Sequence, residues 1–379
     1  MKANKRESIG GIIENHMVIA DINITQLAKI AGVSVPTVSR LVNSSSEIGF
    51  SAMVKIAAYL FPENYTEVIA EWVSKLETAL NQRCAMEWSS VNGKTELLRT
   101  LIDENVEGYR RENAQFARLY TEFLRYTARE ITAEELNERI KCMGVANSNE
   151  LPTLIKIIEV YALFKAGKHS LMFEVGKSLE AEVRSLNNSF LRDSFLVRLA
   201  EIFSYSYLYR GDVKKARYYA GIVKAATFAP RLAAQSYFVT GISYLHEDED
   251  RTISDLQACY DRAKATGASE KYLRQMKENI DFALVHFGRD CRPTSPTELA
   301  YQAAKRGDVA TAEKYASQST NKPMSTFCVA LAKGDVDLMW DGYGEFIASG
   351  DLHFAVLPRK ELERYGERES AINCYLRMA

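Results

Sequence analysis

The stretch Ile24–Asn43, ITQLAKIAGVSVPTVSRLVN, predicts two short helices joined by a tight turn. Gly32 supplies the turn, because a positive φ costs little at glycine. Ser34 can cap the second helix, and Pro36 falls in its first turn, where a missing N–H is harmless. The apolar stripe of the second helix consists of Val38, Leu41 and Val42. This is the layout of a helix-turn-helix, whose second helix enters the major groove and presents polar side chains to base edges.

The helix-turn-helix interpretation places DNA contacts on the polar side of the second helix and on the positions that flank it. The predicted DNA-binding residues are Gln26, Ser34, Val35, Pro36, Thr37, Ser39, Arg40 and Asn43. Arg40 is the candidate for direct readout, while the hydroxyl and amide side chains are expected nearer the phosphates. Val35 can touch a thymine methyl group. The alternative is a plain helical hairpin that binds no DNA.

A short run within this stretch resembles the headpiece of LacI-type repressors. The matching positions are Ala28, Ala31-Gly32-Val33-Ser34, Thr37-Val38-Ser39-Arg40 and Asn43. The resemblance covers 20 residues, Ile24–Asn43, and nothing downstream looks like the sugar-binding core of that family. It also departs at Val35 and Pro36, where the family places base-reading polar residues. The resemblance therefore implies a DNA-binding head that reads bases mainly through Arg40.

Composition predicts an all-α protein. The 379 residues include only eight prolines and are rich in Ala, Leu, Glu and Lys, which favour helices. The formal net charge is −1, so bulk charge does not make the whole chain a polyanion binder. The first 60 residues hold six basic and four acidic side chains, a net charge of +2. Such a weakly basic head would bind DNA poorly alone, so we expect a homodimer that reads two half-sites of operator DNA.

Cysteine usage and the chain start exclude several other classes. The six cysteines lack paired spacing and are not grouped with histidines, which predicts buried free thiols and neither a metal site nor a cofactor. The start MKANKRESIGG has no long apolar run and does not resemble a signal peptide. No apolar run reaches the ~18 residues of a membrane span. We therefore expect a cytoplasmic protein with no membrane partner.

The order of helical segments predicts four regions. We expect a helix-turn-helix domain over 1–62, a connecting helix over 63–90, a tetratricopeptide-like solenoid over 91–340 and a C-terminal segment over 341–379. Thr132 with Glu135 three residues later predicts a capping box. Cys291–Pro296 interrupts the helical rhythm and predicts a loop. In the last region, Gly342, Gly344, Gly350 and Pro358 predict breaks between short helices.

An internal repeat supports the solenoid. Arg210-Gly211-Asp212-Val213 with Ala216 and Tyr219-Ala220 recurs as Arg306-Gly307-Asp308-Val309 with Ala312 and Tyr315-Ala316. Looser copies occur at Lys333–Val336 and Ala166–Lys168. In helix-hairpin repeats, Gly makes the turn, Asp caps the next helix and Ala lies where helices cross. The intervals between the turn glycines are irregular, at 44, 96 and 27 residues, and 96 leaves room for two degenerate units. The alternative is a compact irregular bundle.

No arrangement of residues predicts an enzyme. There is no GxSxG, glycine-rich phosphate loop, HExxH or Cys/His cluster, and the five histidines are isolated along the chain. Each histidine is expected to be structural or at the surface rather than a catalytic base. The catalytic and metal-ligating sets are therefore predicted to be empty.

A helical stack coupled to a DNA-binding head predicts a ligand-sensing regulator, because its concave surface suits an extended peptide. A short peptide needs a cation for its carboxylate, polar groups for its backbone and an acid if it carries arginine. Phe203–Tyr209 and Arg231–Leu245 offer such groups, with Tyr205 and Tyr209 on one helix face at i, i+4. The alternative is that these aromatic faces belong to the core.

Several further segments resemble the AimR family of arbitrium receptors, which are grouped with the Rgg and PlcR peptide-sensing regulators. The matching segments are the head followed by Met53-Val54-Lys55-Ile56 and Leu60-Phe61-Pro62; Leu191-Arg192-Asp193-Ser194-Phe195 with Arg198-Leu199; Arg231 with Tyr237-Phe238-Val239-Thr240-Gly241; and Ser349-Gly350-Asp351 with Phe354, Leu357-Pro358, Glu361-Leu362 and Gly366-Glu367. Any one motif is short, but together they span most of the chain.

The resemblance implies a homodimer that binds an operator under the control of a phage-encoded hexapeptide and so governs the lysis-lysogeny decision. Arg231 matches the arginine that pairs with the peptide carboxylate, and Asp351 matches the acid that faces a basic side chain. Gln302 is a looser match near the pocket. The asparagines of the family are replaced here by Tyr205, Tyr209 and approximately Ser243. With Phe354 from the same tail motif, the predicted peptide-binding set is Tyr205, Tyr209, Arg231, Ser243, Gln302, Asp351 and Phe354.

The tail helices around Leu362–Leu376 resemble the dimerisation segment of the family. The expected function is thus that of a peptide-responsive, DNA-binding transcriptional regulator. One alternative is a helical-repeat scaffold that binds a partner protein and no DNA. A regulator of an enzyme encoded nearby, as in toxin–antitoxin pairs, is a further possibility.

Overall fold

The computed structural model describes residues 8–44, 46–143 and 148–378, and in these ranges it contains helices and no strand. The prediction of an all-α protein is confirmed. The chain divides into two units, one formed by residues up to Leu199 together with Thr227–Ala229, and the other by Ala200–Ala226 and the chain from Pro230 onward. Helix α12 contributes its first part to the first unit and its last part to the second.

The first unit contains the following helices: α1 (Ile9–Ile19), α2 (Ile24–Ala31), α3 (Val35–Ser44), α4 (Phe50–Leu60), α5 (Tyr65–Val73), α6 (Ala79–Val91), α7 (Thr95–Val106), α8 (Arg111–Thr127), α9 (Ala133–Lys141), α10 (Glu150–Lys165), α11 (His169–Arg184) and the start of α12 (Ser189–Tyr209). The predicted capping box at the start of α9 is present, with Thr132 and Glu135 each accepting a backbone N–H of the other. This local prediction is confirmed.

The head consists of α1–α4, and α2 and α3 form the predicted helix-turn-helix. Gly32 ends α2 with a φ of 71°, as the turn requires. The predicted apolar stripe of α3, Val38, Leu41 and Val42, is buried. Helix α1 crosses α3 at Gly10, where an added Cβ would lie 2.1 Å from the carbonyl oxygen of Leu41. The close approach of α1 and α3 therefore depends on this glycine having no side chain.

Two helices, α5 and α6, lie where the sequence predicted one connecting helix over 63–90. The break between them is stabilised by Glu47, which lies in the connection between α3 and α4. Its carboxylate accepts the backbone N–H groups of Glu77 and Thr78, the Thr78 hydroxyl and the Asn81 amide. Because a carboxylate at a helix start satisfies amides that have no partner within the helix, α6 begins here and not further upstream.

A buried ion pair joins α6 to α12 inside the first unit. Arg198 donates to both carboxylate oxygens of Glu87, at 2.7 and 3.1 Å, and to the Ser90 hydroxyl at 2.8 Å. The hydroxyl groups of Tyr120 and Ser194 also donate to Glu87. Both charged side chains are almost fully removed from solvent. Their hydrogen bonds compensate for part of the lost hydration and tie three helices together.

The second unit contains the end of α12 and the following helices: α13 (Val213–Lys224), α14 (Pro230–Ser243), α15 (Glu249–Ala265), α16 (Glu270–His286), α17 (Pro296–Lys305), α18 (Val309–Ala316), α19 (Lys322–Lys333), α20 (Val336–Ala348), α21 (Val356–Arg364) and α22 (Glu369–Met378). Helices that follow each other pack as antiparallel neighbours, for example α14 on α15, α17 on α18 and α19 on α20. The predicted loop at Cys291–Pro296 lies between α16 and α17.

The repeated Gly-Asp turns have the predicted roles. Gly211, Gly307 and Gly334 have φ values of 74°, 70° and 66°. The aspartate after each glycine caps the next helix by accepting a backbone N–H from three residues on. In the 96-residue interval between the first two turns, three helices lie between α13 and α17: the hairpin α14–α15 and the additional helix α16. The interval therefore does not hold two complete extra hairpins.

The C-terminal region agrees with its prediction at Gly350, which lies between α20 and α21, and differs at the other three positions. Gly342 and Gly344 lie inside α20 and Pro358 lies in the first turn of α21, so these residues do not separate short helices. A Cβ at Gly342 would lie 3.3 Å from the backbone nitrogen of Phe327, so this glycine allows α20 to approach α19 closely. Leu362 of α21 and Ile372 of α22 are buried in the second unit of the same chain.

Candidate DNA-binding and ligand-binding sites

Helix α3 exposes most of the predicted DNA-binding side chains on one face. Ser34, Val35, Pro36, Arg40 and Asn43 are exposed, and Thr37 and Ser39 are half-buried. The opposite face carries the buried apolar stripe. This division leaves the polar face available to a groove while the other face fixes the helix to the head.

Hydrogen bonds within α3 orient its polar side chains. The Ser34 and Thr37 hydroxyl groups lie 2.8 Å apart, so Ser34 pairs with that side chain, while its carbonyl accepts the first backbone N–H groups of the helix. Asn43 donates to the Ser39 hydroxyl at 3.1 Å. The Arg40 Nε donates to the Pro36 carbonyl at 3.4 Å, and the guanidinium group is exposed. A guanidinium held in this way can present its terminal nitrogens to a base edge or a phosphate.

Two side chains of the head extend this surface. Gln26 forms a capping box with Asn23, in which its carbonyl oxygen accepts the Asn23 N–H at 2.8 Å. Its side-chain amide nitrogen is not used in that bond and can donate to a phosphate. Lys55 of α4 places its Nζ 3.4 Å from where a Cβ on Gly32 would lie. It adds a positive charge beside the turn, a contribution that spacing within Ile24–Asn43 did not reveal.

The predicted ligand-binding tyrosines line the end of α12 in the second unit. Tyr205 stacks on Phe238 of α14, with ring centroids 6.0 Å apart and planes 27° apart. Burial raises the pKa of Tyr205 and of Tyr272 on α16, and Tyr272 raises the pKa of Tyr205 further. Arg231, which is exposed at the start of α14, lies close enough to Tyr272 to lower its pKa. Arg231 therefore lies at the edge of an aromatic wall.

Asp351 and Phe354 lie in the connection between α20 and α21 and line a cavity of about 320 Å³. The other residues around this cavity are Thr320, Asn321, Lys322, Pro323, Phe346 and Ser349. Burial raises the pKa of Asp351 to about 6, although the backbone N–H groups of Phe354 and His353 act in the opposite direction. Asp351 in turn raises the pKa of Tyr209, and the N–H of Leu352 donates to the Tyr209 carbonyl at 2.7 Å. The structure thus brings Tyr209 and Asp351 together.

Two of the predicted ligand-binding residues use their polar groups within the protein. Ser243 is fully buried; its hydroxyl accepts from Arg217 at 2.9 Å and donates to the Thr240 carbonyl at 2.7 Å. Gln302 is half-buried and donates its amide to the Cys291 carbonyl at 3.2 Å. These contacts place Ser243 against α13 and Gln302 against the loop before α17.

A cluster of three histidines was not predicted. His246, His286 and His353 are far apart in sequence, but the ring centroids of His246 lie 4.9 Å from those of His353 and 5.9 Å from those of His286. Burial lowers the pKa of all three, to about 4 for His286 and about 3 for His353. These histidines are isolated along the chain but lie together in the second unit. No spacing rule joins residues from the turn after α14, from α16 and from the α20–α21 connection.

Neither metal binding nor membrane insertion finds support among the described residues. In the ranges 8–44, 46–143 and 148–378, no group of three or more His, Cys, Asp or Glu side chains is arranged to hold a metal ion. Over the same part of the chain, every helix is too short or too polar to cross a bilayer.

Comparison with known proteins identifies the relatives of this chain. Residues 65–364 match the family described as AimR transcriptional regulator-like, and residues 20–62 match a helix-turn-helix family. The prediction of a helix-turn-helix is thereby confirmed. No curated protein sequence matches the chain.

Two solved structures share the fold at low sequence identity. The structure of phAimR in its selenomethionine form has a TM-score of 0.76 and 18% identity, and covers 97% of this chain and 100% of that one. A structure of phAimR with a ligand has a TM-score of 0.71 and 17% identity, and covers 84% and 98%. Because the family match spans most of the residues, the chain belongs to the AimR transcriptional regulator-like family.

Proposed function

We propose that this protein is a dimeric DNA-binding regulator that takes a short phage-encoded peptide into its second unit and so controls operator binding and the lysis-lysogeny decision. Two features of this member of a transcriptional regulator family carry the proposal together. One is the exposed face of α3, and the other is a separate cavity lined by a half-buried acid, Asp351. The family is one of non-enzymatic regulators, in agreement with the lack of any predicted catalytic set.

DNA binding is supported by the position of Arg40. Its guanidinium group is exposed beside hydroxyl and amide side chains, as contact with a base edge or a phosphate requires. The described charges of the head are few, so affinity for one half-site is expected to be weak. A homodimer that places two α3 helices in successive major grooves would supply the missing affinity.

Peptide binding is supported by three chemically distinct groups in the second unit. Arg231 is exposed and can pair with a terminal carboxylate. Asp351 lines the cavity and can pair with a basic side chain once ionised. Tyr205 and Tyr209 offer aromatic surface and hydroxyl groups in place of amides, which favours a peptide with an apolar side chain near them. This arrangement supports a short peptide with one basic residue as the ligand class.

Coupling between the two functions is supported by the course of α12. Near its start, Phe190 packs against Phe50 of the head at 4.6 Å between ring centroids. Near its end, the same helix carries Tyr205 and Tyr209. A peptide that orders these tyrosines therefore acts on a helix whose other end contacts the head. If the peptide contacts this helix more favourably in one conformation than in another, it shifts the equilibrium between them.

Two alanine variants separate the proposed binding functions. Arg40→Ala is expected to weaken binding to DNA from the upstream region of the gene by about tenfold or more, because a good base contact contributes about 1–3 kcal/mol. Arg231→Ala is expected to weaken binding of a synthetic peptide by a similar factor, because the peptide carboxylate loses its cation. The peptide would be the last six residues of a short reading frame immediately downstream of the gene.

Fluorescence anisotropy measures DNA binding and calorimetry measures peptide binding. Each variant should leave the other affinity unchanged within about threefold, since the substituted residues lie in different units. If Arg40→Ala bound the DNA as tightly as the parent, the role of α3 would be refuted. Equal peptide affinity for Arg231→Ala and the parent would remove Arg231 from the peptide site.

Peptide affinity is expected to depend on pH through Asp351. The free protein holds this carboxyl with a pKa of about 6, so at pH 5 it must lose a proton before it pairs with a basic side chain. Affinity should therefore be about tenfold lower at pH 5 than at pH 7.5, with the change centred near pH 6. Asp351→Asn should bind more weakly at pH 7.5 and should lose this pH dependence. A parent affinity that stays flat from pH 5 to 7.5 would contradict the role of Asp351.

A further inference from the structure

The α20–α21 connection that carries Asp351 and Phe354 is attached to the second unit at several points. The backbone N–H of Phe354 donates to Asp351 at 3.1 Å, which closes a local turn. The N–H of Leu352 donates to the carbonyl at the end of α12. These two bonds fix one side of the connection. The opposite side is fixed by imidazole groups.

Two hydrogen bonds from histidine side chains join this connection to α14 and to the turn that follows it. The Nε2 of His353 lies 2.8 Å from the carbonyl oxygen of Ile242, and the Nε2 of His246 lies 3.1 Å from the carbonyl oxygen of His353. A carbonyl oxygen only accepts, so each Nε2 must carry the hydrogen. His353 is almost fully buried, so both ends of this contact are shielded from competing water. His353 is thus bound through its side chain to α14 and through its backbone carbonyl to His246, in the turn that follows α14.

The surroundings keep these imidazoles neutral at neutral pH. The charged groups that face them are Lys360 from α21, Lys305 from α17, Arg217 from α13 and Glu247 after α14. Three of these four groups are cations, and they act with burial against protonation. The third ring, His286, lies 3.0 Å from the Tyr301 hydroxyl and packs near Phe282, whose ring contacts Phe354. The cluster therefore extends from α14 to the cavity wall.

We propose that His353 and His246 are positioning residues of the ligand site, which clamp the α20–α21 connection to α14 and to the turn that follows it, and thereby hold Asp351 and Phe354 at the cavity. The inference rests on the proposed peptide-binding function for its significance, but the clamp itself is a property of the free protein. The clamp differs from a general stabilising contact because its loss should change the environment of one carboxyl group, that of Asp351.

Matched substitutions at His353 test the clamp. His353→Gln keeps an N–H donor close to the position of Nε2, whereas His353→Phe keeps a ring and removes the donor. The readout is the pKa of the Asp351 carboxyl, measured by carbon NMR on full-length protein labelled at the aspartate carboxyl carbon and assigned with Asp351→Asn. The parent and His353→Gln should titrate near 6. His353→Phe should titrate closer to the ordinary aspartate value of about 3.9, because a released connection hydrates the carboxyl.

The corresponding pair at His246 provides an independent test if His353→Phe does not fold. His246 is less buried than His353 and donates one hydrogen bond to the connection. His246→Phe should therefore also lower the Asp351 pKa, and His246→Gln should keep it at the parental value. A folded phenylalanine variant at either position with the parental Asp351 pKa would overturn the proposal. So would a glutamine variant that shifts the pKa as far as its phenylalanine counterpart.

Peptide binding then connects the clamp to the proposed function. With the synthetic hexapeptide described above, the phenylalanine variants should bind about tenfold more weakly and the glutamine variants within about threefold of the parent. Failure of the parent to bind the peptide would refute the proposed function and leave the NMR result standing. Parental peptide affinity in the phenylalanine variants, together with a lowered Asp351 pKa, would refute the positioning role at the ligand site.

Discussion

Replacing Arg198 by alanine is expected to destabilise the first unit by about 3–5 kcal/mol, because it leaves Glu87 buried without a counter-charge. Glu87 is fully removed from solvent and accepts hydrogen bonds from Arg198, Tyr120 and Ser194. Removing the guanidinium takes away both charge-assisted hydrogen bonds to Glu87 and the donor that bonds the Ser90 hydroxyl. It also opens a cavity between the rings of Phe123 and Tyr161, over which Arg198 lies.

Denaturant unfolding followed by tryptophan fluorescence can measure this loss in the first unit alone. The chain has three tryptophans, of which Trp72 and Trp88 are buried in the first unit and Trp340 lies in the second. A Trp340→Phe background therefore restricts the signal to the first unit. Arg192→Ala is the matched control on the same helix, because Arg192 is partly exposed and pairs with its neighbour Asp193. It should change stability by about 0.5 kcal/mol or less.

A double replacement distinguishes a missing charge partner from lost packing. Glu87→Leu combined with Arg198→Met removes both charges while it keeps apolar volume, and it should recover at least about 2 kcal/mol of the loss. An Arg198→Ala variant as stable as the Arg192→Ala control would contradict the structural account of α6 and α12. No recovery in the double variant would show that packing, and not the unpaired carboxylate, dominates the effect.

Alanine at Gly10 is expected to destabilise the head by about 3 kcal/mol, at the upper end for an overpacked core. The added Cβ would lie 2.1 Å from the carbonyl oxygen of Leu41 and 3.0 Å from its carbonyl carbon. Both atoms belong to the backbone of α3, which cannot yield as a flexible side chain would. Helix α1 must therefore move away from α3, and the face that carries Arg40 loses its support.

Gly221→Ala is the matched control for Gly10→Ala. Gly221 lies within α13, and a Cβ there would meet nothing within 4 Å. Alanine at this helix position should stabilise the protein by about 0.5–1 kcal/mol, since glycine is a poor helix former. The same substitution is thus expected to have opposite signs at the two positions.

Hydrogen exchange of the α3 segment measures the effect at Gly10 directly. Protection of the amides of residues 37–44 should fall by about 100-fold in Gly10→Ala and stay at the parental level in Gly221→Ala. Affinity for DNA should also fall in Gly10→Ala and should stay at the parental level in Gly221→Ala. Parental protection in Gly10→Ala would contradict the close contact between α1 and α3.

Local features of the fold could be predicted because their causes lie within a few residues. The turn at Gly32, the capping box of Thr132 and Glu135, and the aspartate caps at Asp212 and Asp308 each depend on neighbours along the chain. Glycine was ambiguous, because the same residue makes a turn at Gly211 and a close helix contact inside α20. Sequence alone does not distinguish a glycine that bends the chain from one that admits a neighbouring helix.

Contacts between distant segments could not be predicted. Glu87 and Arg198 are separated by 111 residues, as are Ile242 and His353. Their pairing depends on which helices pack together, and hydrophobic periodicity does not specify this. For the candidate sites, the exposed face of α3 followed from periodicity, whereas the residues at the ligand cavity came from family resemblance. Their roles in peptide binding remain predictions, and the clamp of His246 and His353 emerged only from the structure.

The most direct test of the central claim is a reciprocal linkage measurement on the parent protein. Affinity for DNA from the upstream region of its gene would be measured without and with saturating hexapeptide, and peptide affinity without and with saturating DNA. The account predicts that each ligand changes the affinity of the other by the same factor, about fivefold or more, as linkage requires. Two measurable affinities, each unaffected by the other ligand within experimental error, would contradict a regulator that couples peptide capture to DNA binding.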